Sequence, residues 1–180
     1  MAQWKKKSLR LKDDHAWRGK PGYRIFAADR GAVRFNFPQD WVVIPDTDSI
    51  KFHDLPPPDD NCRLEFSYVR LPPIDWSALP LPRLVESIVE GEERELLSRG
   101  EVVYVRRHHV EVAWVEIRFL DPNEQREACS RLCLARRANI QSLLTFDFWP
   151  EDLPRLDPVW EEVVSSLDLG RYVKDPTRGQ

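Results

Sequence analysis

Glycine, cysteine and long apolar runs are scarce in this chain, and each scarcity removes a class of function. Seven glycines stand against fifteen prolines, and they form neither a Gly-rich phosphate loop nor a Gly-x-Ser-x-Gly nucleophile turn; His-Glu-x-x-His is also missing. The three cysteines, Cys62, Cys129 and Cys133, are odd in number and lack the spacing of a metal site, which fits reduced thiols and excludes a disulfide framework. No segment approaches the roughly 18 consecutive apolar residues that cross a bilayer, and no apolar stretch of signal-peptide type follows the basic N-terminus. A cytoplasmic location without membrane insertion is therefore expected.

What the chain does have is a core's worth of aromatic and aliphatic residues, seven tryptophans among them, in 180 residues, the size of one domain. Charge is uneven. Up to Arg24 eight basic residues (Lys5, Lys6, Lys7, Arg10, Lys12, Arg18, Lys20, Arg24) face only Asp13 and Asp14, so this stretch is positive and the remainder negative. Such an arm serves an anionic partner or lies across the body it complements. One Lys triplet is a weak nucleic-acid signal, and Trp4 and Trp17 favour docking. The expected organisation is a basic arm over 1–22, one α+β domain over 23–170 and a flexible tail over 171–180.

Along the chain, Tyr23 to Phe26 and Val33 to Phe37 are apolar and β-prone, and Asp29-Arg30-Gly31 between them supplies a hairpin turn. Short strands are predicted at Trp41 to Ile44 and Ile50 to His53, before a rigid Pro56-Pro57-Pro58-Asp59-Asp60-Asn61 loop. Cys62 to Arg70 puts Leu64, Phe66 and Tyr68 on one face and Arg63, Glu65 and Ser67 on the other, the alternation of a half-buried strand. Leu81, Leu84, Val85, Ile88 and Leu96 follow a helical period, with Gly91 a weak point in the middle and Gly100 the expected stop.

Four strands are predicted next, over 101–108, 110–120, 128–137 and 140–149. Their connections are short, Asp121 to Gln125 and Ala138-Asn139, so they form an antiparallel meander, and no crossover helices leave room for a parallel doubly wound sheet. The last helix carries Leu156, Val159, Trp160, Val163, Val164 and Leu167 on one stripe, with Asp157 as its expected cap, Pro158 in its first turn and Gly170 as its end.

Candidate sites are few. Proline-flanked aromatics in loops resist burial in a sheet, which makes Pro72, Pro73 and Trp76 with Phe148 and Trp149 a candidate protein-binding surface. Arg106, Arg107 and His108, followed by His109, form a candidate anion-binding cluster at a hairpin tip, where pairing with carboxylates such as Glu111 and Glu101 across the strands is the competing role. Cys129 and Cys133 lie about 13 Å apart if on one strand, too far to share a metal. Asp59-Asp60 is a solvated acidic turn unless the fold supplies further oxygens. A pocket between the sheet and the last helix, with Glu116, Arg118, Arg131 and His53 as polar groups, is the alternative that would make the protein a small-ligand carrier or an enzyme. No catalytic residue, metal ligand or cofactor is assigned.

The segment Phe35-Asn36-Phe37-Pro38-Gln39-Asp40-Trp41, the long strand at Cys62 to Arg70 followed by a helix, the late meander and the closing Trp160 to Gly170 helix resemble the Mog1/PsbP-like superfamily, which includes DcrB-like proteins. The similarity covers about Gly31 to Gly170. It implies an antiparallel sheet flanked by helices in an α/β/α sandwich. It further implies a binding role, since members include a Ran GTPase-binding nuclear transport factor, photosystem II extrinsic subunits, bacterial lipoproteins and cytosolic chaperones of secreted effectors. The expectation is thus a non-enzymatic cytosolic adaptor or chaperone-like module whose partner is another protein rather than nucleic acid, acting as monomer or homodimer.

Overall fold

Period-2 alternation builds most of this molecule, and proline and glycine place its corners. The computed structural model describes residues 4–108 and 110–180. It opens with a hairpin of β1 (Tyr23–Ala28) and β2 (Val33–Pro38). Asp29, Arg30 and Gly31 in its turn all take positive φ, the conformation that turns two strands back on one another. At Gly31 only glycine fits, because a Cβ would stand 2.3 Å from the carbonyl oxygen of Arg171.

β3 (Val42–Pro45), β4 (Ile50–His53) and β5 (Cys62–Arg70) follow where alternation predicts them, then α1 (Leu81–Glu90), β6 (Leu96–Arg99) and β7 (Val103–Arg107). β8 (Val110–Leu120), β9 (Glu127–Arg137) and β10 (Ile140–Phe148) are the expected meander, and α2 (Leu153–Ser166) and the short β11 (Asp168–Leu169) close the fold. An eight-stranded antiparallel sheet runs β3-β4-β5-β10-β9-β8-β6, with β7 also on β8, and β1-β2-β11 form a second, three-stranded sheet.

The large sheet is covered on its front and, over β8 and β9, on its back. On the front, the small sheet and α2 enclose Phe35, Phe52, Phe66, Phe146 and Trp160. On the back, Leu81, Val85 and Val89 of α1 pack on Ala113, Val115, Ile117, Leu132 and Leu134. Each buried Val, Leu, Ile or Phe among them contributes on the order of 1.5–3 kcal/mol. The architecture is the α+β sandwich of antiparallel sheet and flanking helices.

Three boundaries differ from the periodicity. First, α1 ends at Glu90 with Gly91 as its C-cap, whose amide donates to the Ser87 carbonyl at 3.1 Å. Arg94 then forks onto Glu92 at 2.9 and 2.7 Å and lies 4.0 Å over the Phe119 ring. Leu96 to Arg99, placed by spacing in the same helix, pair instead with the open edge of β8, and Gly100 stops no helix. Unpaired ladder groups on β8 outweigh the local helical preference.

Second, α2 starts at Leu153 after a 3₁₀ turn, Pro150–Asp152, so Pro154 rather than Pro158 sits in the first turn. Pro158 lies inside the helix, and Asp157 turns its carboxylate to Arg131 instead of capping. Third, the helix ends at Ser166; Gly170, with φ of +68°, follows β11, which pairs Asp168 with Arg34 and Leu169 with Val33. Beyond it, the Lys12 amide donates to the Thr177 carbonyl at 3.1 Å and the Ala16 amide to that of Arg178 at 2.8 Å. No helix among the described residues is long and apolar enough to cross a membrane.

Candidate functional site

Adjacent residues of a strand face opposite ways, and this separates the two arginines at the tip of β7. Arg106 stands opposite Glu111 and Arg107 opposite Val110, so Arg106 goes to the α1 side while Arg107 reaches the end of α2. The Arg107 guanidinium donates to the carbonyls of Val164 and Ser165 and, at 3.5 Å, to that of Leu167. These carbonyls have no partner within the helix and carry the negative end of its dipole, so a cation there is favourable. Burial draws the Arg107 pKa down, with nearby Asp168 acting in the opposite direction. His108 sits beside it at positive φ; His109 lies outside the described residues.

Around Arg107 the fold gathers further guanidiniums that sequence spacing did not connect. Asp168 of β11 receives Arg34 of β2 at 3.1 Å, Arg137 at the end of β9 at 3.1 Å and Arg171 at 3.6 Å. Arg137 also donates to the Leu169 carbonyl at 3.0 Å. Arg34 lies 4.7 Å from the Trp17 ring centre, so the arm contributes one wall, with Arg18 beside it. The result is a cleft of about 910 Å³ at the C-terminal end of α2, between the hairpin and the tip of β7. Burial lowers the Arg34 pKa and Asp168 raises it, while Arg171 repels it. The one hint in the sequence was the basic cluster at Arg106 to His108; Arg34, Arg137 and Arg171 meet only through tertiary pairing.

A second concavity, about 450 Å³, runs beside α1 on the back of the large sheet. Leu84 and Ile88 form its helical side, and Ser67, Val69, Leu134 and Leu143 its floor. It arises because α1 packs on β8 and β9 and leaves β10 and β5 open. Val69 is 55% exposed, and Ile74 in the following loop 61%.

The aromatic surface expected from the sequence does not assemble. Phe148 is buried in the front core. Trp149 is half-buried beneath the Arg126 guanidinium at 3.5 Å. Trp76 is half-buried and donates its indole N–H to the Pro72 carbonyl at 3.1 Å, next to exposed Pro73. Phe148 pairs with Cys62, whereas the Pro72 loop leaves β5 at Arg70, so the two halves stand at opposite ends of a strand about 27 Å long.

The space expected to be hollow under the body of α2 is taken by a side chain among the described residues. Arg131 fills that space, 5% exposed, bonded to Glu116 at 2.8 Å and to Asp157, with its charge 5.3 Å from the Phe148 ring centre and 5.5 Å from that of Trp114. Arg118 pairs with Glu127 at 2.7 Å, and His53 with Asp60 at 2.7 Å far along the sheet. These four groups do not converge. Cys62, Cys129 and Cys133 are all buried, and their thiol pKa values are pushed up by that burial, to about 11 for Cys129 and about 12 for Cys133. Among the described residues no three His, Cys, Asp or Glu side chains are grouped to hold a metal.

The model of the family described as Alr1449 matches residues 24–173, a span that includes Arg34, Arg107, Arg137, Asp168 and Arg171 but not Trp17 or Arg18. Protein alr1449 of Nostoc sp. is 46% identical over 178 residues, 98% of this chain and 93% of that protein. Among solved structures, cyanobacterial PsbP (CyanoP) from Synechocystis sp. PCC 6803 superposes with a TM-score of 0.56 at 12% identity, over 84% of this chain and 95% of that one. The Saccharomyces cerevisiae Ran-binding protein Mog1p gives 0.55 at 11% identity, over 82% and 95%. At such identities the likeness is one of fold, and the fold is Mog1/PsbP-like.

Proposed function

The chain belongs to the Alr1449 family, and from that footing we propose that it is a non-enzymatic cytoplasmic adaptor that docks a protein partner in the groove beside α1. The observation that carries this reading is the open end of the back face, where Val69 exposes 55% of its surface in one groove with Leu84, Ile88, Leu134 and Leu143. Contiguous apolar surface on a folded domain marks a binding site more often than isolated exposed residues do. A fold neighbour named for binding Ran, Mog1p, gives precedent for a protein partner on this scaffold. The exposed side of α1 and the turn after it carry Glu86, Glu90, Glu93 and Glu95, so the partner offers an amphipathic segment with aliphatic anchors and a basic flank.

A photo-crosslinking residue placed at Val69, with a second at Lys174 as control, tests this in extract of the source cell. One discrete adduct at 69, absent at 174 and lost when Ile88→Glu is added, is the expected result. Adducts of equal pattern at both positions, or none at 69, would rule the groove out.

A further inference from the structure

Independently of the groove, we propose that the arginine cleft at the end of α2 is a binding site for a small molecule bearing a phosphate or pyrophosphate group. Arg107 is occupied by the helix-end carbonyls. That leaves Arg18, Arg34, Arg137 and Arg171 lining a cavity in which, among the described residues, Asp168 is the one carboxylate. Three positive charges therefore remain uncompensated by the lining. The neighbouring Glu162 does not supply the difference, because it is taken by Lys20 at 3.0 Å and by the Asn36 side-chain amide at 2.8 Å.

Gathering like charges opposes folding unless something anionic joins them, and guanidinium forks present paired N–H donors in the geometry of phosphate oxygens. A single carboxylate would neutralise one charge of the three, whereas a phosphate or pyrophosphate takes two or more. The orientation of the existing bonds supports the assignment. Asp168 holds Arg34 and Arg137 from the β11 side, fixing their guanidinium groups before a ligand arrives, and the Trp17 ring backs Arg34. About 910 Å³ is ample for a phosphorylated metabolite. The C-terminal end of α2 would repel an anion, and Arg107 cancels that repulsion where it sits.

The test uses the full-length protein and titrates inorganic phosphate, pyrophosphate and acetate at constant ionic strength. Binding is followed by calorimetry and by the side-chain Nε resonances of Arg34 and Arg137. Saturable binding of pyrophosphate, weaker binding of phosphate and none of acetate are expected, with both arginine resonances shifting. Arg171→Ala and Arg18→Ala, at exposed positions, should each weaken pyrophosphate about tenfold, while Lys174→Ala leaves it unchanged. If a variant fails to fold, the wild-type arginine shifts still decide. Saturable binding that moves neither resonance, or no binding at concentrations of about 10 mM, would overturn the assignment. So would an affinity for single-stranded oligonucleotides that grows with their length, since the ligand would then be a polymer on the arm.

Discussion

The side chain of Arg107 donates a hydrogen bond to the backbone carbonyl of Ser165, tying the tip of a strand to the end of a helix 58 residues further along the chain. The same guanidinium reaches Val164 and Leu167, so one side chain satisfies two carbonyls of the last helical turn and the carbonyl of the residue that follows it. Arg107→Ala is expected to lower stability by about 1.5–3 kcal/mol, the range for hydrogen bonds to a charged group, with Arg107→Lys recovering part of it. Urea denaturation measures the loss, and faster amide exchange over 164–169 would place it at the helix end.

Arg131 presents the opposite case, a buried cation shared by two carboxylates that still touch water. Its side chain is 6% exposed, against 24% for Glu116 and 49% for Asp157. Asp157→Asn should change stability by less than about 1 kcal/mol, because a half-exposed ion pair contributes little, and Glu116→Gln alone leaves Asp157 to hold the charge. The double variant strands a guanidinium among Trp114, Phe148 and Trp160 and should lose about 3–5 kcal/mol. The coupling between the two sites in a double-mutant cycle is the measurement; simple additivity would show that Arg131 is solvated.

Strands were legible in the sequence where one face is apolar and the other polar, as in Cys62–Arg70 and Val110–Leu120. The helix stripes were legible for the same reason at a different period. What escaped was structure that exists only through pairing. Leu96 to Arg99 carry four exposed residues and no alternation, and become a strand because β8 offers an unfilled edge. Asp168-Leu169 is too short to announce itself and is recruited by β2. The cleft was visible only in part. Arg107 and His108 belong to it, but nothing local marks Arg106 as facing away, or Arg34, Arg137 and Arg171 as neighbours. The proline-flanked aromatics misled because Phe148 lies in register with Cys62, inside the front core.

Gly31 controls how the chain after β11 docks on the hairpin. Its φ of +100° is unfavourable for any L side chain, and a Cβ there would meet the Arg171 carbonyl oxygen at 2.3 Å, a backbone atom that cannot rotate away. Gly31→Ala should therefore cost more than the roughly 1–2 kcal/mol of a left-handed alanine. It should also displace Arg171, so amide shifts concentrated at 168–173 are expected alongside the lower midpoint. Shifts confined to the turn itself would show that the contact is slack.

Burial of Cys133 and Cys129 makes alkaline pH a probe of the front core. In the folded chain their thiols hold protons to about 12 and about 11, against 9.0 for an ordinary cysteine. Because the folded values are raised, the stability linked to these groups is fully present below pH 9 and drains away as pH climbs through 9 toward 11–12, where the unfolded chain releases protons that the folded chain retains. Tyr68, pushed up to about 12 by burial and by its hydrogen bond to Asp29, adds to the decline above its ordinary 10.0. Cys133→Ala removes one titrating group and loses some packing, so its stability starts lower at neutral pH and falls less steeply over the alkaline range. Urea midpoints for both proteins, from about pH 8 to about pH 11, compare the two slopes. Equal slopes would mean that the Cys133 thiol ionises alike in the folded and unfolded chains. A thiol reagent should read the same burial directly, leaving all three cysteines unmodified in the native protein until the chain unfolds.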